Sequence, residues 1–214
     1  ENHSFALSIV DLKAAATGCM VFDFLKHNYN KPLNNQMLRG IYTAVMTDTG
    51  CFRHSNTDQK CHLIAMETLK NGVDTASIYQ RIYENSTKTR VELLGYVLSN
   101  IHYELDGVLA WFQITQEMLN TTKATKSDVD GFTDFVRSIK NVQVALMIFD
   151  QLDGTCRVNL RGKGKYSVNR IANTLGGGGH RLAAGAIVEG NIENVIKDVI
   201  KISIESIQTE STSI

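Results

Sequence analysis

Leu175-Gly176-Gly177-Gly178-Gly179-His180-Arg181-Leu182-Ala183-Ala184-Gly185-Ala186 is the most informative stretch of this chain. Glycine loses more backbone entropy on folding than any other residue, so four in succession point to left-handed backbone or to close approach of another chain or ligand. A helical pattern precedes the run over residues 168–175 and an apolar strand follows it, with no serine-rich continuation, so a fixed loop is expected in place of a linker. Successive N–H groups in such a loop can converge into a nest for an anion. His180 and Arg181 would add donors, and Ala183, Ala184 and Gly185 are small enough for close packing beside the loop.

The preceding strand points the same way. With a period of two, Val158 and Leu160 share one face while Arg157, Asn159 and Arg161 share the other. A guanidinium can bind a phosphate through two parallel hydrogen bonds, which suits a nucleotide ligand. From Arg157 to Arg181 the bases Arg157, Arg161, Lys163, Lys165, Arg170 and Arg181 occur with no acidic residue between them.

Further out, strands are expected at 102–114 and 142–149, and Asp153-Gly154 is a hairpin signal. Helices are expected at 129–139 and 192–204, followed by a frayed tail at 209–214. In the first half, a strand at 5–10 and a helix from Thr17 precede Met37, Leu38, Ile41, Tyr42 and Val45, which have helical spacing and run into Asp48-Thr49-Gly50. Helices follow at 57–70 and 74–83, and one at 87–99 reads as a connection between domains. The fold class is α/β.

The 214 residues suffice for one large or two small domains, and 43% hydrophobic with 21% charged residues excludes a disordered or fibrous chain. A formal net charge of zero gives no global sign of nucleic-acid binding, so electrostatics must be local. Cys19, Cys51, Cys61 and Cys156 lack both zinc-site spacing and disulfide density, and are expected as free thiols. No apolar run reaches the ~20 residues of a membrane helix, and no signal peptide opens the chain. A cytoplasmic location without membrane contact is the expectation.

Gly177-Gly178-Gly179-His180 followed by Ala183-Ala184-Gly185 resembles the GGGH…AAG signature of the DHHA1 domain in DHH-family phosphoesterases, a group that includes the nanoRNases. Asp48-Thr49-Gly50-Cys51-Phe52 resembles the DTG-x-F segment of the DHH domain. The resemblance implies the remaining part of a Rossmann-like parallel-sheet DHH domain at 1–86, a linker helix at 87–99, and a smaller mixed-sheet DHHA1 domain at 100–214. It implies that Gly177, Gly178, Gly179 and His180 bind the substrate phosphate, with His180 also catalytic, that Arg161 contacts substrate, and that Arg90 grips flanking phosphate. Asp48 is implied as a ligand of manganese, with two Mn²⁺ ions in the intact enzyme, although Mg²⁺ could serve.

The family's His-x-Asp-x-Asp segment, its second aspartate and its Asp-His-His triplet are not in the sequence, which is expected to begin just after the triplet. His3 is expected at the surface. This chain alone is therefore not expected to assemble a two-metal centre or to be active. The implied reaction is hydrolysis of short oligoribonucleotides, of 3′-phosphoadenosine 5′-phosphate, or of both. A non-catalytic RNA- or nucleotide-binding module and a polyphosphate or cyclic-dinucleotide hydrolase remain alternatives, and homodimerisation is left open. Tyr166 and Phe52 are candidates for base stacking, and His54, just after the DTG segment, is the least bland of the remaining histidines.

Overall fold

The structure, a computed structural model, describes residues 8–212, so His3 and the first part of the expected strand at 5–10 lie outside the described residues. Residues 8–10 form no strand. The chain divides into two compact units, one ending at Asn85 and the other beginning at Ser86.

Among the described residues the first unit is helical: α1 (Thr17–Asn28), α2 (Asn35–Asp48), α3 (Gln59–Lys70) and α4 (Thr75–Tyr83). Asn34, Asp58 and Asp74 each accept a backbone N–H from the first turn of α2, α3 and α4, which satisfies a donor the helix itself leaves unpaired. Leu38, Ile41, Val45, Cys61, Ile64 and Ile78 close one apolar core. The parallel sheet expected for this domain is not represented among the described residues.

The second unit holds α5 (Lys88–Leu98), β1 (His102–Glu104), β2 (Leu109–Ile114), α6 (Gln116–Thr122), α7 (Phe132–Arg137), β3 (Val144–Asp150), β4 (Thr155–Gly162), α8 (Val168–Thr174), β5 (Gly178–His180), β6 (Ala183–Glu189) and α9 (Ile192–Ser211). Its sheet runs β1-β2-β3-β4-β6-β5 and is mixed, with β2 and β3 parallel and the other neighbours antiparallel. Val144, Ala145, Leu146, Met147, Ile148 and Phe149 are all buried, as a central strand covered on both faces requires. On one face Leu146, Ile148, Val158, Leu160, Ala184 and Ala186 pack with residues of α8 and α9. On the other, Phe112, Ala145, Met147 and Phe149 pack with residues of α5, α6 and α7.

The helix read as a connection is built into this unit. Leu93 and Val97 are fully buried in the second core, and Leu93→Ala is expected to cost about 2–5 kcal/mol in denaturant unfolding. The single strand expected at 102–114 is a hairpin instead, because Asp106 and Gly107 have positive φ and reverse the chain between β1 and β2. The helix expected at 129–139 is shorter, since Gly131 is left-handed and restarts the chain at Phe132. By contrast α9 continues past the expected end to Ser211, whose hydroxyl lies 3.0 Å from that of Tyr166. Cys19, Cys51, Cys61 and Cys156 are free, and burial pushes the Cys61 thiol up to about 11, where it is neutral and unreactive. No helix among the described residues is long and apolar enough to cross a membrane.

Candidate functional site

Three of the four glycines here carry out two structural tasks. Helix α8 stops at Leu175, and Gly176 takes up φ +77°; its N–H donates to Asn173 O at 3.0 Å while that of Gly177 donates to Ala172 O at 2.8 Å. This pair of bonds is the Schellman stop, which satisfies the helix's last carbonyls. The chain then enters β5, where Gly178, Gly179 and His180 face Gly185, Ala184 and Ala183 of β6. The anion nest expected from the glycine run is therefore not what its first two N–H groups form, since both are spent on helix carbonyls. The segment is nevertheless fixed, and Asn169 Nδ2, itself braced by Asn173, holds Gly179 O from the side.

Close approach explains the composition. A Cβ on Gly177 would lie 2.1 Å from Gly185 O, and one on Gly179 would lie 2.6 Å from Ala183 O. Gly178 differs, because its Cβ would meet nothing nearer than Asn173 Oδ1 at 3.8 Å. No packing in the fold demands glycine there.

The pairing also decides which side chains share a face. Arg161 of β4 stands opposite Ala183 of β6, and Ala183 opposite His180 of β5. Residues directly paired across strands project to the same side, so the Arg161 and His180 positions flank Ala183 in one row, two strand spacings or about 10 Å apart. The next row on that face is Asn159, Gly185 and Gly178, followed by Arg157 and Ile187. Ala183 and Gly185 make a low floor between taller polar flanks. A groove of about 400 Å³ over this face is lined by Arg157, Asn159, Gly176, Gly177, Gly185 and Ile187.

Of the basic run in the sequence, the structure keeps only part here. Lys163 Nζ donates to Ile139 O, and Arg170 pairs with Glu210 of α9 at 3.4 Å. Arg157 lies over the Phe149 ring, 5.4 Å from its centroid. Arg161 Nε donates to Asp134 Oδ2 at 3.4 Å, and its Nη1 to Leu160 O at 3.1 Å. Asp134 and Arg137, an i, i+3 pair on α7, were not singled out from the sequence; their spacing was the available signal.

Three sequence candidates have other neighbours. Arg90 donates to the carbonyls of Asp128 and Asp130 and lies 4.8 Å from the Phe132 ring centroid, clamping α5 to the chain before α7. Its guanidinium is thereby held by two backbone carbonyls and an aromatic ring. Tyr166, a stacking candidate, is buried in the core. Phe52 packs between Tyr42 and His62 in the first unit, at centroid distances of 5.8 and 5.6 Å.

Asp48 lies in the first unit, exposed at the last turn of α2. Beyond it, Gly50 N–H donates to Thr47 O and Cys51 N–H to Met46 O, the same Schellman stop as at Gly176. Thr49 is buried, donating through Oγ1 to Val45 O at 2.6 Å and accepting the Phe52 N–H at 3.1 Å. Cys51 and Phe52 continue with φ of +58° and +61°, uncommon for side chains of their size, and the His54 ring covers Gly50. A rigid corner thus presents the Asp48 carboxylate. Among the described residues no group of three His, Cys, Asp or Glu side chains is placed to hold a metal ion. A lone carboxylate does not satisfy a divalent cation that prefers six oxygen ligands, so the described residues do not by themselves fit a manganese centre.

A family model described as the DHHA1 domain matches residues 112–208. The chain is 33% identical over 186 residues to a probable bifunctional oligoribonuclease and PAP phosphatase NrnA of Streptococcus mutans, covering 87% of this chain and 59% of that protein. It is 30% identical over 184 residues to the bifunctional oligoribonuclease and PAP phosphatase NrnA of Thermus thermophilus, covering 86% and 54% respectively. The chain thus spans little more than half the length of these relatives. An exopolyphosphatase-related protein from Bacteroides fragilis has a similar structure, with a TM-score of 0.86, 28% identity, and coverage of 98% of this chain and 62% of that one.

Proposed function

We propose that this chain, whose residues 112–208 match the DHHA1 family model, is the substrate-binding portion of a phosphoesterase acting on short oligoribonucleotides or 3′-phosphoadenosine 5′-phosphate. The observation that carries the reading is the row Arg161, Ala183, His180. It sets a fixed guanidinium and an imidazole on either side of a floor with almost no side chain, wide enough for a phosphate and its sugar. A guanidinium supplies charge and paired donors to the phosphate. His180, on the edge strand, offers a ring nitrogen to a phosphoryl oxygen as charge develops there. Gly178 and Gly185 keep the neighbouring surface low, so a nucleoside can lie against backbone.

Asp48 is proposed as one ligand of a manganese ion whose remaining ligands lie outside the described residues. A polyphosphate substrate is the second reading, favoured by the similarity to the exopolyphosphatase-related protein of Bacteroides fragilis.

The test is hydrolysis by the protein expressed from its complete gene, supplied with Mn²⁺ and, in separate reactions, pApA, 3′-phosphoadenosine 5′-phosphate and polyphosphate. Turnover of either nucleotide supports the proposal, and turnover of polyphosphate alone replaces it with the second reading. Asp48→Asn is expected to raise the manganese concentration needed for half-maximal activity by more than about 100-fold, since even outer-shell partners of a metal change affinity by about 10–100-fold. An unchanged manganese requirement removes Asp48 from the site.

A further inference from the structure

Asp134 of α7 divides its carboxylate between two arginines: Oδ1 lies 3.2 Å from Arg137 Nη2, and Oδ2 accepts from Arg161 Nε at 3.4 Å. We propose that Asp134 is a positioning residue that aims Arg161 and draws Arg137 beside it, making a two-guanidinium receptor selective for a terminal phosphate monoester. This rests on the reading that Arg161 meets the substrate phosphate.

The bonding of Arg161 supports an aimed side chain. Its Nε is held by Asp134 and its Nη1 by Leu160 O, while its Nη2 has no partner among the described residues. Fixing an arginine costs rotamer freedom, and here that ordering precedes ligand binding. Arg137 contributes a second guanidinium, and its Nε is buried without a hydrogen-bond partner among the described residues. Ion pairs this exposed add little stability, so the value of the arrangement lies in orientation.

Charge sets the ligand class. Two arginines and one aspartate leave the cluster at net +1, from +2 and −1. A terminal phosphate monoester carries about −1.5 to −2 charges at neutral pH and three free oxygens. An internal diester has one charge and two free oxygens, so it can use less of such a receptor.

The experiment measures binding of pApA and of ApA to the complete protein and its variants by calorimetry. Wild type is expected to prefer pApA, and Asp134→Asn and Arg137→Met are each expected to shrink that preference about tenfold, as for loss of a charge-assisted contact. Binding of ApA should change little, and Asp134→Glu should restore part of the preference. Equal losses for both ligands would mean that Asp134 only supports the fold. Tighter pApA binding by Asp134→Asn would mean that the carboxylate competes with phosphate for the arginines; either result overturns the proposal. Arg161→Met separates the two levels of argument. If it leaves the preference intact, the site reading itself fails; if it alone removes the preference, only the role of Asp134 and Arg137 fails.

Discussion

His180→Ala is expected to lower turnover by the complete protein about 100- to 1000-fold, the usual cost of removing one donor aimed at charge that develops in the transition state. The imidazole stands on the exposed edge strand β5, so the fold does not depend on it. Substitutions at such surface positions usually change stability by less than about 0.5 kcal/mol, and the thermal midpoint should stay in place. Steady-state kinetics together with a melting curve make the check. Wild-type turnover in the variant would strip His180 of its part in the reaction, and a large fall in the melting point would make its role structural.

Gly177→Ala should act in the opposite manner, through the fold. The added Cβ would sit 2.1 Å from Gly185 O and 2.6 Å from Ala186 Cα. Both are backbone atoms of β6, itself paired to β4, so neither can withdraw without disturbing the sheet. Overpacking of this kind costs about 3 kcal/mol, which for a domain of this size lowers the melting point by about 10 °C. Gly178→Ala is the control, because its Cβ has open space and should change stability by no more than about 0.5 kcal/mol. Substrate lying over Gly178 would still be pushed away, so that variant should lose affinity while keeping its melting point. If both variants melt like wild type, the tight junction between β5 and β6 is not what fixes the glycines.

Much of this was legible from residues alone. The helix expected at 74–83 is α4, capped by Asp74, and Asp153-Gly154 turns β3 back into β4 as expected. The alternation on β4 correctly separated Val158 and Leu160, which are buried, from Arg157, Asn159 and Arg161, which are not. Other surroundings are not legible in the residues, because the deciding contact is distant. Tyr166 has the composition of a stacking residue, yet it is buried where α8 and α9 meet the sheet. Arg90 sits in a sequence that allows exposure, yet two carbonyls about forty residues away take its donors. Short segments such as α6 carry too few residues to show a period.

By itself the sequence determined that a glycine stops α2 and α8 and which residues of β4 share a side. Those are local matters: a left-handed glycine closes α2 and α8, and the pleat of a strand has a period of two. Only the tertiary structure decided that β6 lies between β4 and β5, which brings Arg161 and His180 into one row, and that Asp134 of α7 meets Arg161. Strand neighbours are chosen by burial of whole faces across long stretches of chain, a sum that no short run of residues contains.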